Sequence, residues 1–429
     1  MNVRTKILFS NLIICICTIQ LLAQTSAVKV ELKKIDSSYQ LFRGGKPYYV
    51  KGAGGNKFPD RIAAYGGNSI RTWGTRDAQA VLDSAQKYGL TVLMGVDVAR
   101  ERHGFNFDDT AAVRGQLEKI KADVLKYRNH PALLAWGIGN ELNLQYKNPK
   151  VWDAVNDISK MMHELDPNHP TTTVLAGLNK GLIDYIKERT SDIDLLCINT
   201  YGGLATLPRT LRAAGWNGAY MVTEWGPTGH WECLKTAWDA PIEETSSEKA
   251  AVYKTRYEYG IQSDKANCLG SYVFLWGQKQ ERTPTWYGIF TEKGEESEVV
   301  DLMQYLWSDK WPRNIAPHLY SLQLDGKKAL ENVYLAPGKT YQAITIASDP
   351  DKDKLHYRYE ILPEATLLGN GGDFEPRPKG IDGLLTTTAE GQATLKAPDA
   401  AGAYRLFVYV TDGNNNVATA NLPFYVKNQ

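Results

Sequence analysis

From residue 47 onward the chain alternates short apolar runs with segments of helical periodicity. Apolar runs bounded by glycine or polar residues predict buried strands. Eight of them occur, at 47–54, 67–74, 90–99, 132–141, 171–177, 194–202, 219–226 and 270–277. Helical segments follow them at 59–65, 78–85, 110–127, 151–165, 181–189, 207–214, 247–262 and 297–307. This α/β alternation predicts a (β/α)8 TIM barrel, whose strands are apolar throughout because both faces are buried.

A doubly wound open sheet is the alternative with the same alternation. That fold would need a glycine-rich phosphate-binding turn after a strand. The two candidate turns, "GAGGNK" and "GIGNEL", both lack the GxGxxG spacing. The barrel is therefore the favoured prediction.

The pattern changes on either side of the barrel, which we predict over residues 28–312. Residues 28–46 read as a small hairpin that leads into the first barrel strand. After Trp311-Pro312, alternating runs such as "AYRLFVYV" and turn-rich clusters predict a small all-β immunoglobulin-like sandwich over 313–429. This module shows no clear row of exposed aromatic residues, so we favour a structural spacer over a glycan-binding role.

Three aspartates alternate in the sandwich segment "SDPDKDKL", at Asp349, Asp351 and Asp353. Alternate carboxylates either hold Ca2+ or decorate a solvated turn. We favour the solvated turn.

Residues 1–27 have the features of a secretory signal peptide. Arg4 and Lys6 precede a mostly apolar stretch, and Ala23 or Ala27 offers a cleavage position. The apolar stretch is too short and too interrupted to predict a stable membrane span. We therefore expect an exported protein, whether periplasmic, cell-surface or secreted.

Charge and cysteine content narrow the range of partners. Lys and Arg total 49 against 48 Asp and Glu, a net charge of +1, which does not favour a nucleic-acid partner. Cys197 lies in an apolar strand and reads as a buried thiol, whereas pairing of Cys233 with Cys268 stays open. The 7 histidines show no HxH or HExxH spacing. We therefore expect neither a metal site nor a cofactor.

Candidate site residues gather where the predicted strands end, which is the face that carries the active site in TIM barrels. They are Arg71, Trp73, Asn140, Glu141, Asn199, Tyr201, Glu224, Trp225 and Trp276. Glu141 follows the fourth strand and Glu224 the seventh, on opposite sides of the ring. Two facing carboxylates suit glycoside hydrolysis, in which one stays protonated and the other stays charged.

The residue types suggest how these roles divide. Arg71 would hold Glu224 ionised and the Tyr201 hydroxyl would orient it, while apolar strand residues would keep Glu141 protonated near neutral pH. Asn140 would bond a sugar hydroxyl, and Trp276 would form an apolar floor for the ring. The bland alternative for any single residue is a barrel-rim ion pair or a packed indole.

The stretches "WGIGNEL" and "MVTEWG" resemble the two catalytic stretches of retaining glycoside hydrolases of clan A. The chain is most similar to the catalytic TIM barrel of glycoside hydrolase family 2, which includes β-galactosidases, β-glucuronidases and β-mannosidases. "NSIRTWG", "INTYG" and "FLWG" look like the second, sixth and eighth strands of that barrel. The resemblance implies that Glu141 is the acid/base and Glu224 the nucleophile, with net retention. The predicted domain layout departs from that of family 2 because only a hairpin precedes the barrel.

The prediction is thus a retaining hydrolase of a β-linked oligo- or polysaccharide, with that carbohydrate as its partner. Two alternatives remain open: a transglycosylase that uses the same pair, as in the similar fungal glucanosyltransferases, and a non-catalytic carbohydrate-binding barrel. The third-strand loop carries Arg100, Arg102 and His103. These side chains would either recognise an acidic sugar or lie in solvent, and we favour solvent.

Overall fold

The computed structural model describes residues 26–428, so the predicted signal peptide lies outside the described residues apart from its last two positions. Three strands open this part, β1 (Val30–Ile35), β2 (Ser38–Arg43) and β3 (Lys46–Tyr48), and form an antiparallel sheet. Val30 and Leu41 pack against barrel side chains such as Leu134. The Val30 N–H donates to the Asn168 carbonyl, 2.7 Å away, just before a barrel strand begins. The small sheet therefore covers the N-terminal end of the barrel.

Eight parallel strands close into a barrel in sequence order. They are β4 (Val50–Gly54), β5 (Ser69–Arg71), β6 (Thr91–Val96), β7 (Leu133–Ile138), β8 (Thr171–Ala176), β9 (Leu195–Asn199), β10 (Tyr220–Trp225) and β11 (Cys268–Val273). The helices around them are α1 (Pro59–Ala64), α2 (Ala78–Lys87), α3 (Thr110–Tyr127), α4 (Lys150–Leu165), α5 (Lys180–Arg189), α6 (Leu207–Ala213), α7 (Ser246–Gly260) and α8 (Glu298–Ser308). The predicted TIM barrel is confirmed.

Local sequence explains where individual helices begin and which face they bury. The Asp109 side chain accepts from two N–H groups at the start of α3, and Thr245 with Glu248 forms a capping box at the start of α7. Trp152, Val155 and Met162 of α4 are fully buried. Their spacing of three and seven residues places them on one face of the helix, against the barrel strands.

The remaining strands form a β domain of two four-stranded sheets. They are β12 (His318–Leu324), β13 (Val333–Leu335), β14 (Thr340–Ser348), β15 (His356–Pro363), β16 (Leu385–Ala389), β17 (Gln392–Lys396), β18 (Gly402–Thr411) and β19 (Val417–Val426). The sheet orders are β12-β14-β17-β16 and β13-β19-β18-β15, and one apolar core lies between the two sheets. The predicted boundary at residue 312 falls between α8 and β12.

The sandwich contacts the barrel next to α7. The Leu319 N–H donates to Ser247 Oγ and the Thr419 N–H to Ser246 Oγ, both at 2.9 Å. Arg405, which is 2% exposed, donates to the Pro241 carbonyl at 2.8 Å. These bonds hold the sandwich beside the C-terminal ends of the barrel strands.

The aspartate cluster of the sandwich is organised as a turn. Asp349 Oδ1 accepts from the N–H groups of Asp351 and Asp353 at 2.9 and 3.0 Å, whereas the Asp351 side chain accepts from the Ile315 N–H. Asp349 and Asp353 lie near Asp412, with one oxygen of each within 4.8 Å of the others. These hydrogen bonds shape the segment as a turn, and the choice between a Ca2+ site and a solvated turn stays a prediction.

The question left open about the cysteines is resolved within residues 26–428. Cys233 and Cys268 are both unpaired, and Cys197 is a buried thiol, as predicted. In the same part of the chain, no helix combines the length and apolarity needed to cross a membrane.

Candidate active site

The strand ends bring two glutamates and their partners to one mouth of the barrel. Arg71 is the last residue of β5, Asn199 is the last of β9, and Glu224 is the next-to-last of β10. Glu141 stands three residues beyond the end of β7. Both glutamates line a cavity of about 380 Å3 together with Trp73, Asn140 and Tyr201, as the sequence predicts.

Glu224 is surrounded by hydrogen-bond donors. Its Oε1 accepts from Arg71 Nη1 and from Trp73 Nε1, each at 2.7 Å. Its Oε2 accepts from the Tyr201 hydroxyl at 3.2 Å. Burial raises the pKa of Tyr201 well above its usual value, so this hydroxyl keeps its proton and donates. One charged and two neutral donors thus surround the Glu224 carboxylate, and all of them interact favourably with a negative charge.

Glu141 lies in a different environment. Burial raises its pKa to about 7, and the nearby charge of Glu224 adds to the rise. A bond from Asn199 Nδ2 to Glu141 Oε1, at 2.9 Å, works in the opposite direction. The carboxyl group therefore exchanges its proton near neutral pH, as a general acid and base must.

The backbone turns sharply to present Glu141. Gly139 has φ +69° and Glu141 has φ +54°, so both residues occupy the left-handed region, which is uncommon for glutamate. The Glu141 N–H donates to the Val174 carbonyl of β8 at 2.9 Å, which anchors the turn. A strained residue that is held in place in this way is a frequent feature of functional sites.

Two amides connect the glutamates. Asn140 Oδ1 accepts from Arg71 Nη2 at 2.5 Å and from Asn199 Nδ2 at 3.2 Å. Thr223 Oγ1 donates to Asn199 Oδ1 at 2.8 Å, which fixes the orientation of the Asn199 amide. Asn199 thus links Asn140 and Glu141 by hydrogen bonds, whereas Asn140 itself lines the cavity.

Two of the predicted binding residues lie in the protein core, and for them the prediction is wrong. Trp225 and Trp276 are 0% exposed. Trp225 packs against Tyr253 and Tyr257 of α7, because successive side chains of a strand alternate and Glu224 takes the inward direction. Trp276 packs on Trp307 of α8 with ring centroids 5.3 Å apart, so it belongs to the core between strands and helices.

Loops supply cavity residues that sequence reasoning missed. Trp231, 57% exposed, stands in the loop after β10 with its ring edge-on to Tyr201 at 5.4 Å. Phe274, Lys279 and Glu281 follow β11 and also line the cavity. Trp231, Lys279 and Glu281 lie within a few residues after a predicted strand, and that position was an available signal.

The sandwich also lines the cavity. Gly371, Gly372 and Asp373, from the loop between β15 and β16, form part of its wall. A second cavity of about 360 Å3, on the side of Glu141, shares Gly371 and Trp231 with the first. The sandwich is therefore more than the structural spacer that we favoured, and no pattern along the chain indicated this contact.

In the loop with the basic residues, Arg102 matches neither of the two sequence interpretations. Arg102 donates to both carboxylate oxygens of Asp373, at 2.7 and 3.3 Å, and His103 Nε2 lies 3.5 Å from that carboxylate. Only 6% of the Arg102 side chain is exposed. It therefore neither lies in solvent nor stands free to bind a sugar acid, because it holds the sandwich loop in place.

Comparison with known proteins places this barrel. Residues 61–225 match the family model described as "Glycosyl hydrolases family 2, TIM barrel domain". The mannan endo-1,4-beta-mannosidase F of Aspergillus clavatus is 26% identical in an alignment that covers 40% of this chain and 51% of that protein. The chain thus spans about half the length of the curated relatives that it matches.

Solved structures give the same likeness at the level of the fold. The beta-D-glucuronidase of Dictyoglomus thermophilum is 18% identical, with a TM-score of 0.52 over 66% of this chain and 54% of that one. A Bacteroides uniformis beta-glucuronidase is 13% identical, with a TM-score of 0.51 over 93% of this chain and 48% of that one. Residues 61–225 are thus similar to the TIM barrel domain of glycosyl hydrolases family 2, and the solved structures share the barrel fold.

Proposed function

We propose that the protein is an exported β-glycoside hydrolase that cleaves a β-linked glycan with retention of configuration. The observation that carries this proposal is the opposite environment of two carboxyl groups in one cavity. Three donors stabilise the charge of Glu224, while burial raises the pKa of Glu141 to about 7. A pair of carboxyl groups held in different protonation states is what acid-assisted nucleophilic displacement requires.

In the first step, a Glu224 oxygen attacks the anomeric carbon as the glycosidic C–O bond breaks. Glu141 gives its proton to the departing oxygen, so the leaving sugar departs as a neutral alcohol. The product is a glycosyl ester on Glu224 and an ionised Glu141. With Glu224 no longer charged, the repulsion that raises the pKa of Glu141 is removed.

In the second step, the ionised Glu141 takes a proton from water as the water oxygen attacks the same carbon. The ester bond to Glu224 breaks, and the carboxylate returns to Arg71, Trp73 and Tyr201. Two inversions give net retention. If a sugar hydroxyl replaces water in this step, the same residues perform transglycosylation.

The substrate class rests on the form of the cavity and on the relatives. Trp73, Phe274 and Trp231 give the cavity aromatic walls between its polar groups, which suits a sugar ring. The matched curated relative is named a mannan endo-1,4-beta-mannosidase and the structural relatives β-glucuronidases. From these relatives we take only the substrate class, a β-linked glycan. The proposal that the protein is exported rests on the sequence of residues 1–27.

Trapping with activated 2-deoxy-2-fluoro β-glycosides tests this proposal. Gluco, galacto, manno and glucuronic forms are incubated with the protein, and intact mass is followed by peptide mapping. We expect one glycosyl adduct, located on Glu224, and none on a Glu224→Gln variant. Proton NMR of the first product should show the β-anomer. An α-anomer, or an adduct on another residue, would contradict the assignment.

A further inference from the structure

The cations at the cavity wall are already matched with acidic groups. Within the described part of the chain, Arg100 and Lys279 are the basic residues that line the cavity shared by Glu141 and Glu224. Lys279 Nζ lies 2.6 Å from Glu281, and Arg100 lies 4.0 Å from Asp97 while its Nε donates to the Asn140 carbonyl at 3.2 Å. A sugar carboxylate entering this cavity would have to compete with protein carboxylates for each of these cations.

Glu281 and Lys279 form the most enclosed of these pairs. Glu281 is 7% exposed, and burial raises its pKa while Lys279 opposes that rise. The nearest other basic group is His230, with Nδ1 3.9 Å from Glu281. Burial lowers the pKa of His230 to about 4, so it is neutral at physiological pH and leaves Lys279 to balance Glu281. The Lys279 ammonium also donates to the Gly372 carbonyl at 3.3 Å.

Asp373 neutralises the other side of the mouth. It reaches from the sandwich to Arg102 and His103, and its carboxylate also lines the cavity, with 40% of the side chain exposed. Glu281 and Asp373 therefore present negative charge to the cavity while they occupy the cations beside it. Like charges brought together in a partly buried site cost free energy, so an anionic sugar would be disfavoured.

We propose that Glu281 and Asp373 are specificity-determining residues that make this site selective for neutral sugars and exclude uronic acids. The proposal rests on the glycoside hydrolase function proposed above. Under this proposal, the site differs in its preferred sugar from the structurally similar proteins that are named β-glucuronidases. Removing one of these charges should free a neighbouring cation to receive a sugar carboxylate.

The test compares two chromogenic substrates on the same protein. One is 4-nitrophenyl β-glucuronide, and the other is the 4-nitrophenyl β-glucoside, β-galactoside or β-mannoside that the wild type cleaves fastest. The measured quantity is the ratio of their kcat/KM values. We expect the wild type to favour the neutral substrate and Glu281→Gln to raise the glucuronide-to-neutral ratio by about tenfold, the size of one charge-assisted hydrogen bond.

Matched variants show whether the effect belongs to this pair. Glu296 lies in the segment that leads to α8 and pairs with Arg61, and its side chain is 10% exposed, as is that of Glu281. The Glu296→Gln variant should therefore leave the ratio unchanged. Adding Lys279→Met to Glu281→Gln should cancel the gain. Asp373→Asn, at a more exposed position, provides a second variant that does not depend on the folding of Glu281→Gln, and it should raise the ratio in the same direction.

The outcomes separate this inference from the proposed function. A wild type that prefers the glucuronide overturns it, and so does an unchanged ratio in active Glu281→Gln and Asp373→Asn proteins. In both cases the hydrolase function stands. A wild type that cleaves neither these glycosides nor any β-linked polysaccharide refutes the hydrolase function, and this inference falls with it.

Discussion

Two buried carboxylate clusters in this molecule are built differently. At the barrel mouth, Glu224 meets Arg71, Trp73 and Tyr201, and its carboxylate lines a cavity. At the junction with the sandwich, Glu243 accepts from four side chains on both of its oxygens. These donors are Lys249 at 2.6 Å, Thr283 at 2.5 Å, Thr285 at 2.9 Å and Asn421 at 2.5 Å.

The difference shows how one fold separates stability from chemistry. Lys249 also donates to the Thr285 and Trp286 carbonyls, so both charges of the Glu243–Lys249 pair have their bonds satisfied within the protein. Burial alone would raise the pKa of Glu243, but Lys249 and the hydrogen bonds outweigh it and hold that pKa low. The mouth instead leaves Glu141 with a raised pKa and open space beside it. Glu243 at the junction therefore keeps one protonation state, whereas Glu141 at the mouth can exchange a proton.

The largest expected effect is on catalysis at the mouth. Replacing Glu224 with glutamine removes the nucleophile, so kcat should fall by about 10^4-fold or more. The amide oxygen still accepts from Arg71, and the repulsion of Glu141 disappears, so thermal stability should change little. Activity is measured on the fastest aryl glycoside, and stability by calorimetry.

The same substitution at the junction is the control for that experiment. Glu243→Gln should retain far more activity than Glu224→Gln when both are assayed well below their melting temperatures. Comparable losses of kcat in the two folded variants would mean that the mouth is not the catalytic cluster.

The second effect is on stability at the junction. Glu243→Gln leaves the Lys249 ammonium, whose side chain is 7% exposed, without its counter-charge, so the free energy of unfolding should fall by about 3 kcal/mol. Combining it with Lys249→Met removes the stranded charge and should restore part of the loss. Urea denaturation of both single variants and the double variant measures the coupling. Additive losses would show that the two side chains do not act as a pair.

The fold was largely predictable because the chemistry that determines it is local. Eight apolar runs with helical segments between them specify a parallel barrel, and the observed strands lie within or beside the predicted runs. Glu141, Glu224, Arg71 and Tyr201 could be brought together from sequence because the ends of parallel strands share one face. Glu141 and Glu224 needed no knowledge of any loop.

The rest depended on distances that sequence does not contain. Trp225 ends a strand, and Trp276 and Trp73 stand just past strand ends, yet the direction of each side chain decides between core and cavity. Asp373 is 271 residues from Arg102, in another domain, and nothing in its neighbourhood marks it. The pairing of Glu243 with Asn421 likewise joins residues 178 positions apart.

A third prediction uses the opposite pKa shifts of the two clusters. Glu141 must be protonated to act as the acid, so kcat/KM should fall as the pH rises through about 7, by about tenfold for each further unit. A pH profile on an aryl glycoside with a poor leaving group measures this limb. A profile that stays flat to pH 9 would remove Glu141 from the acid role.

Stability should respond to pH with opposite signs at the two positions. The folded-state pKa of Glu141 is raised, so its ionisation disfavours the fold as the pH rises from about 4.5 to 7. The melting temperature of Glu141→Gln, measured relative to that of the wild type, should therefore be higher at pH 8 than at pH 4. Glu243 has a lowered pKa, so its contribution is present above the unfolded-state pKa and is lost as the pH falls through the folded one. Its glutamine variant should lower the melting temperature most at pH 8.

The smallest effect expected is a shift of the same activity limb. Asn199 donates to Glu141, and the charge of Arg100 acts in the same direction, so each lowers the pKa of Glu141. Asn199→Ala or Arg100→Gln should therefore move the basic limb of kcat/KM to higher pH, by about one unit or less. Gln116→Ala is a matched control, because its side chain accepts from the Ala99 N–H behind the same loop without reaching Glu141. A limb that moves to lower pH in either variant would mean that the bond from Asn199 and the charge of Arg100 do not stabilise the ionised form of Glu141.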